Sequence, residues 1–178
     1  MTQEDLAPEY SVDVDLTSLG RAGKLFRLAA NEDECRKIAA RLGVISIEKL
    51  EGEMRLTATK TDINATGVVQ ASLMRECVAS LEPMPETIDE NFEISFVRQA
   101  PADPGAADEK SEDWILPEVH EGDMFDVGEL LVQQLSLAMA PFPRKPGAIS
   151  LAEQYGQSGR VSPFSDLQAI LEKDQKKQ

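Results

Sequence analysis

The sequence predicts an α+β fold: an antiparallel β-sheet with one face packed by two or three helices, an acidic flexible loop and a loosely ordered C-terminal segment. Three observations carry that prediction. From Val44 to Phe96 apolar residues alternate with polar ones, the period of a strand with one buried face. Two stretches, opening at Asn31 and at Asp126, instead space their apolar residues at helical intervals behind a capping residue. Residues 99–113, QAPADPGAADEKSED, have no period and mix Pro, Gly, Ala and acid, the composition of a flexible loop.

In chain order, Tyr10, Val12, Val14 and Leu16 alternate with Ser11, Asp13 and Asp15, which predicts a first strand. Gly20 and Gly23 mark a turn, and Lys24-Leu25-Phe26-Arg27-Leu28 reads as a shorter second strand. Asn31 with Glu34 three residues on resembles a capping box. Glu32, Asp33 and Glu34 suit the positive end of a helix dipole, and Gly43 supplies the stop. Cys35, Ile38, Ala39 and Leu42 form the apolar stripe between them. The alternating region then divides into Ile45 and Ile47; Met54 to Ala58; Ile63 to Leu73; and Ile88 to Phe96, with turn residues between. Thr61-Asp62 predicts a tight turn, and Glu82-Pro83-Met84-Pro85 predicts a break in the sheet. Beyond the acidic loop, Trp114, Ile115 and Leu116 read as an edge segment returning to the core. Asp126 caps a second helix with Glu129 as its N3 partner, and Pro141 and Pro143 end it. Ser162-Pro163 opens a short terminal helix carrying Phe164, Leu167, Ile170 and Leu171. The resulting organisation is a single domain over 1–144, then a tail over 145–178 with its helix at about 163–173.

The chain carries a net charge of −14, and its distribution matters more than its sum. Fifteen of the 32 carboxylates lie between Glu82 and Glu129, against only Arg98 and Lys110 of the 18 bases. The remainder is close to neutral. Such a segment repels a phosphate backbone and attracts basic proteins or cations. No run of about 18 apolar residues is present, and MTQEDLAPEY lacks the features of a secretory signal, so the expectation is a cytoplasmic protein without a membrane partner.

Candidate chemistry is sparse. Neither Gly-x-Ser-x-Gly nor a phosphate-cradling glycine loop occurs. His120 is the sole histidine, so no two-histidine metal motif can be built. Beside Glu118 or Glu121 it could act as a base, but the simpler reading is a solvated loop residue. Cys77 could be a ligand, a nucleophile or a small buried hydrophobe, and the last is favoured because only Arg75 is a cationic neighbour. Acidic pairs such as Asp89/Glu90 read as solvent-facing. The expectation is therefore no enzyme, no cofactor and no metal. For partner binding, the candidate residues are Arg21, Lys24 and Arg27 near the first turn, Arg36, Lys37 and Arg41 on the first helix, and Arg144 with Lys145 after the second. They could contact phosphates by shape, but stacking aromatics are missing beyond Phe26 and Phe142.

Three segments together resemble a known family. They are Val68-Val69-Gln70 through Cys77-Val78-Ala79-Ser80-Leu81-Glu82-Pro83, the helix from Asp126-Val127-Gly128-Glu129-Leu130-Leu131 to Pro141 with Pro143-Arg144-Lys145-Pro146-Gly147 behind it, and Ser162-Pro163-Phe164-Ser165-Asp166-Leu167. In order and spacing they are similar to the YceD family of large ribosomal RNA subunit accumulation proteins, in its alphaproteobacterial form. The resemblance implies a non-enzymatic factor in ribosome assembly or rRNA processing. Its partners would be a large ribosomal subunit precursor, through rRNA or a basic ribosomal protein. Better-known members carry Cys-x-x-Cys at the strand end. Met74-Arg75-Glu76-Cys77 departs from that pattern, which argues against a zinc or redox role for Cys77.

Overall fold

The structure, a computed structural model, describes residues 8–20, 22–98 and 118–149. The predicted loop at 99–113, the Trp114–Leu116 segment and the terminal helix at 163–173 lie outside the described residues. The described residues divide into two compact units: those up to 76 with those from 83 to 141, and residues 77–82 with 142–149.

Among the described residues the first unit holds β1 (Asp13–Asp15), a 3-10 turn (Leu16–Ser18), β2 (Lys24–Ala29), α1 (Glu32–Leu42), β3 (Ser46–Ala58), β4 (Asp62–Glu76), β5 (Pro83–Val97), β6 (Glu118–Val119), β7 (Met124–Asp126) and α2 (Val127–Ala138). Its main sheet has the order β2-β3-β4-β5-β6, and β1 pairs with β7 in a small second sheet. The sheet is antiparallel except at its last pair, where β6 runs parallel to β5 with Phe96 opposite Glu118.

Both helices form where the capping chemistry puts them. Asn31 Oδ1 accepts the N–H groups of Asp33 and Glu34, and Glu34 reaches back to the Asn31 N–H, completing the capping box. Gly43 ends α1 in the left-handed region at φ 66°. At α2 only half of the expected box is present. Asp126 accepts the Glu129 N–H at 2.9 Å and also the N–H of Val12 at 2.9 Å, while the Glu129 carboxylate turns to Arg41.

Three strand expectations are corrected. The first strand spans only Asp13–Asp15 and joins β7, although Tyr10, Val14 and Leu16 are buried as their alternation requires. Ile47 and Met54–Ala58 belong to one strand, with a register shift between Ile47 and Lys49 and with Gly52 inside it. A side chain at position 52 would collide with Leu131 of α2, so this glycine is a contact point for a helix and not a turn. Pro83 and Pro85 lie within β5. They are tolerated because, among the described residues, that strand is at the edge of the sheet along most of its length.

Ile47, Leu50, Met54, Leu56, Ile63, Ala65, Val69, Ala71, Leu73, Ile88 and Phe96 point to one face of the sheet. There they meet Cys35, Ile38 and Ala39 of α1 and Val127, Leu130, Leu131 and Leu135 of α2 in one apolar core. The opposite face carries Arg27, Glu53, Arg55, Thr66, Gln70 and Asp89 and is solvated.

Candidate functional site

The predicted basic residues do not form one patch within the first unit. Arg21 lies outside the described residues. Lys24 is exposed on β2, with its ammonium 5.1 Å from the centroid of the Phe26 ring. Arg27, on the same strand, pairs with Glu53 at 2.8 Å. Arg36, Lys37 and Arg41 do share the exposed side of α1. Two of the three are occupied there. Arg36 pairs with Asp33 at 2.8 Å, and Arg41 holds Glu129 with two N–H groups at 2.6 and 2.7 Å and Glu9 with one at 3.0 Å. The bidentate contact to Glu129, with Glu9 second, raises the Arg41 pKa. Glu9 in turn is held below the ordinary carboxylate range, first by its own backbone N–H and then by Arg41. Arg41 is thus a tie from α1 to the start of α2. Among the described residues, Lys24, Lys37 and Arg144 form no ion pair.

The second unit contains Arg144 and Lys145. Residues 77–82 form a tight loop, in which the Cys77 N–H donates to the Glu82 carbonyl and the Leu81 N–H to the Cys77 carbonyl. Residue 143 accepts the Val78 N–H, and Lys145 Nζ reaches Glu82 at 2.9 Å. The Cys77 sulfur is the centre of this loop. It accepts the N–H of Lys145 at 3.3 Å and that of Ser80 at 3.5 Å. The Lys145 N–H, then the Ser80 side chain and the Ser80 N–H, lower its pKa to about 6 against the opposing effect of burial. The Ser80 Oγ is buried and has no other hydrogen-bond partner among the described residues. Sequence reasoning missed this environment. The leading donor is a backbone group, and it comes from 68 residues away.

A titration checks it. Thiolate absorbance at the far-ultraviolet shoulder is expected to rise with a midpoint near pH 6 and to vanish in Cys77→Ser, whereas Cys35, whose pKa burial raises, contributes only at alkaline pH. Since the folded pKa of Cys77 lies below the ordinary value of 9.0, its stabilising effect is present above that value and is lost as pH falls to about 6. The urea midpoint of the wild type should therefore exceed that of Cys77→Ser at alkaline pH, and the gap should close on acidification. A midpoint near 9 would show that the two N–H groups do not hold the thiolate.

His120 is half-buried, and its Nε2 lies 2.9 Å from the Met124 carbonyl. A carbonyl only accepts, so that nitrogen carries the proton and is not a free base. Among the described residues, no group of three or more His, Cys, Asp or Glu is placed to hold a metal ion. Also among them, no helix is long and apolar enough to cross a membrane.

The feature that the sequence leaves unassigned is where the acidity goes. In β5, Asp89 stands opposite Gln70 and Glu90 opposite Val69, so neighbouring acids point to opposite faces of the sheet. Glu86 is taken up by Arg75 at 2.8 Å; both side chains are 15% exposed. Asp89, Glu90 and Glu93 are exposed and form no ion pair among the described residues. Only the strand register shows that they line an edge.

The family model described as large ribosomal RNA subunit accumulation protein YceD matches residues 65–175. No curated protein and no solved structure matches the chain. The matched span takes in nearly all of β4, the whole acidic strand β5, the Cys77 loop and α2, and leaves the bases of α1 outside. It covers well over half of the 178 residues, and this chain therefore belongs to the YceD family.

Proposed function

We propose that this chain is a non-enzymatic factor for the accumulation of large-subunit rRNA, acting in ribosome assembly or rRNA processing by binding a precursor of the large ribosomal subunit. The match of the family model over residues 65–175 carries this reading. Surfaces that are open and mixed in polarity support binding over catalysis. A groove of about 500 Å³ lies exposed on the outer face of the sheet between Leu25, Arg55 and Glu93. A tagged copy is expected to co-sediment with large-subunit precursors on a sucrose gradient, and its depletion to lower large-subunit rRNA. The reading fails if the protein stays at the top of the gradient and rRNA levels do not move.

A second reading is favoured by the unpaired acids of β5: an adaptor that shields a basic ribosomal protein without touching RNA. Crosslinking separates the two. Links to rRNA favour direct docking on the precursor, and protein-only links through β5 favour the adaptor.

A further inference from the structure

We propose that the open edge of β5, between Glu86 and Ser95, takes up an extended basic segment of a protein partner as an added strand. The proposal rests on the binding role given above and names the partner of one surface. β5 pairs with β4 from Pro83 to Val97, but on its other side it meets β6 only at Phe96 and Val97. Among the described residues nothing else pairs with that side. Pro83 and Pro85 have no N–H to offer, so the window is closed by prolines at one end and by β6 at the other. An edge of this kind presents unpaired N–H and C=O groups to an incoming chain.

Its charge selects the occupant. Asp89, Glu90 and Glu93 fall in the window without an ion pair among the described residues, Glu86 being taken up by Arg75, and no Lys or Arg occurs between Glu82 and Arg98. A second copy of this edge would bring acid against acid, which destabilises a strand pair, whereas a basic strand meets complementary charge. RNA is disfavoured by the same sign. Beside the edge, on its helix side, a groove of about 360 Å³ runs between Phe92 and Leu137, with Glu90 at its rim. Leu137 is 76% exposed and Phe92 is only half-buried. Side chains of an added strand alternate in direction. One set would cover Phe92 and Leu137 while the other faces Asp89 and Glu93, so the fitting segment alternates apolar and basic residues.

The test uses the full chain and a fluorescein-labelled peptide of about ten residues, alternating lysine and valine. The same peptide N-methylated at alternate residues keeps its charge and cannot pair its backbone along one side. The plain peptide is expected to bind, the N-methylated one to bind about tenfold more weakly, and Asp89→Lys/Glu93→Lys and Leu137→Asp each to weaken the plain peptide by about tenfold with unchanged circular dichroism. Equal binding of both peptides, or unaltered binding by the variants, overturns the proposal. So does an RNA hairpin that displaces the peptide. Absence of peptide binding also overturns it, and a blue-shifted emission from the single tryptophan that reddens in Leu137→Asp would then identify the chain's own residues as the occupant. Co-sedimentation of the wild type with large-subunit precursors in the same preparation separates this failure from failure of the ribosomal reading.

Discussion

Replacing Arg75 with methionine is expected to lower the unfolding free energy by about 2 kcal/mol, between the range for an exposed ion pair and that for a fully buried one. Arg75 Nη1 donates to Glu86 at 2.8 Å and to the Ala140 carbonyl at 2.7 Å, and Glu86 accepts the Ala140 N–H at 3.1 Å. The three groups lock the chain leaving α2 onto the sheet. With both side chains only 15% exposed, water replaces the lost contact poorly, and Glu86 is left as a nearly unpaired charge. The double variant Arg75→Met/Glu86→Leu removes both charges and should recover most of the loss, as apolar replacements of buried pairs do. Urea unfolding followed by circular dichroism reads both variants. A loss under about 1 kcal/mol in the single variant would place the pair with exposed ion pairs and refute its structural role.

How much of this was legible in the sequence depends on the reach of each interaction. The boundaries of α1 were readable because Asn31, Glu34 and Gly43 act on backbone groups within a few residues of themselves. The apolar faces of β3, β4 and β5 were readable because a period of two survives without knowledge of the neighbours. Strand lengths were not. The stretch between Ile47 and Met54, and Pro83, read as breaks, and the continuity of each strand depends on α2 above Gly52 and on an open sheet edge beside Pro83. The pairing of β1 with β7 and the Arg41 tie to Glu129 join residues far apart in sequence, which local patterns do not encode. The same holds for the candidate sites. Counting located the acidity between Glu82 and Glu129, but only the register of β5 on β4 turned it into a charged edge. The described bases of β2 and α1 are exposed, but the carboxylates that occupy Arg27, Arg36 and Arg41 are set by the fold and by neighbouring turns and do not follow from counting charges.

The closeness of α2 to the sheet gives the second large effect, and a mutant cycle isolates it. Leu131 is fully buried, so Leu131→Ala is expected to cost about 2–5 kcal/mol through lost burial and the cavity left behind. Gly52→Ala adds a Cβ where the Leu131 side chain already sits, with the Val68 carbonyl close on another side, and overpacking of that kind costs about 1–3 kcal/mol. The two changes are complementary in volume. In Gly52→Ala/Leu131→Ala the new methyl enters space that the shortened side chain has vacated, so the double variant should be more stable than the sum of the single losses predicts, by about 1 kcal/mol or more. Strict additivity would mean that α2 shifts away from β3 to relieve the clash. The position of the glycine would then reflect backbone preference alone. Coupling of the expected sign would instead establish that β3 runs unbroken through Gly52 because the helix has to approach it there, which is what holds α2 against β4 and β5 beside the open edge.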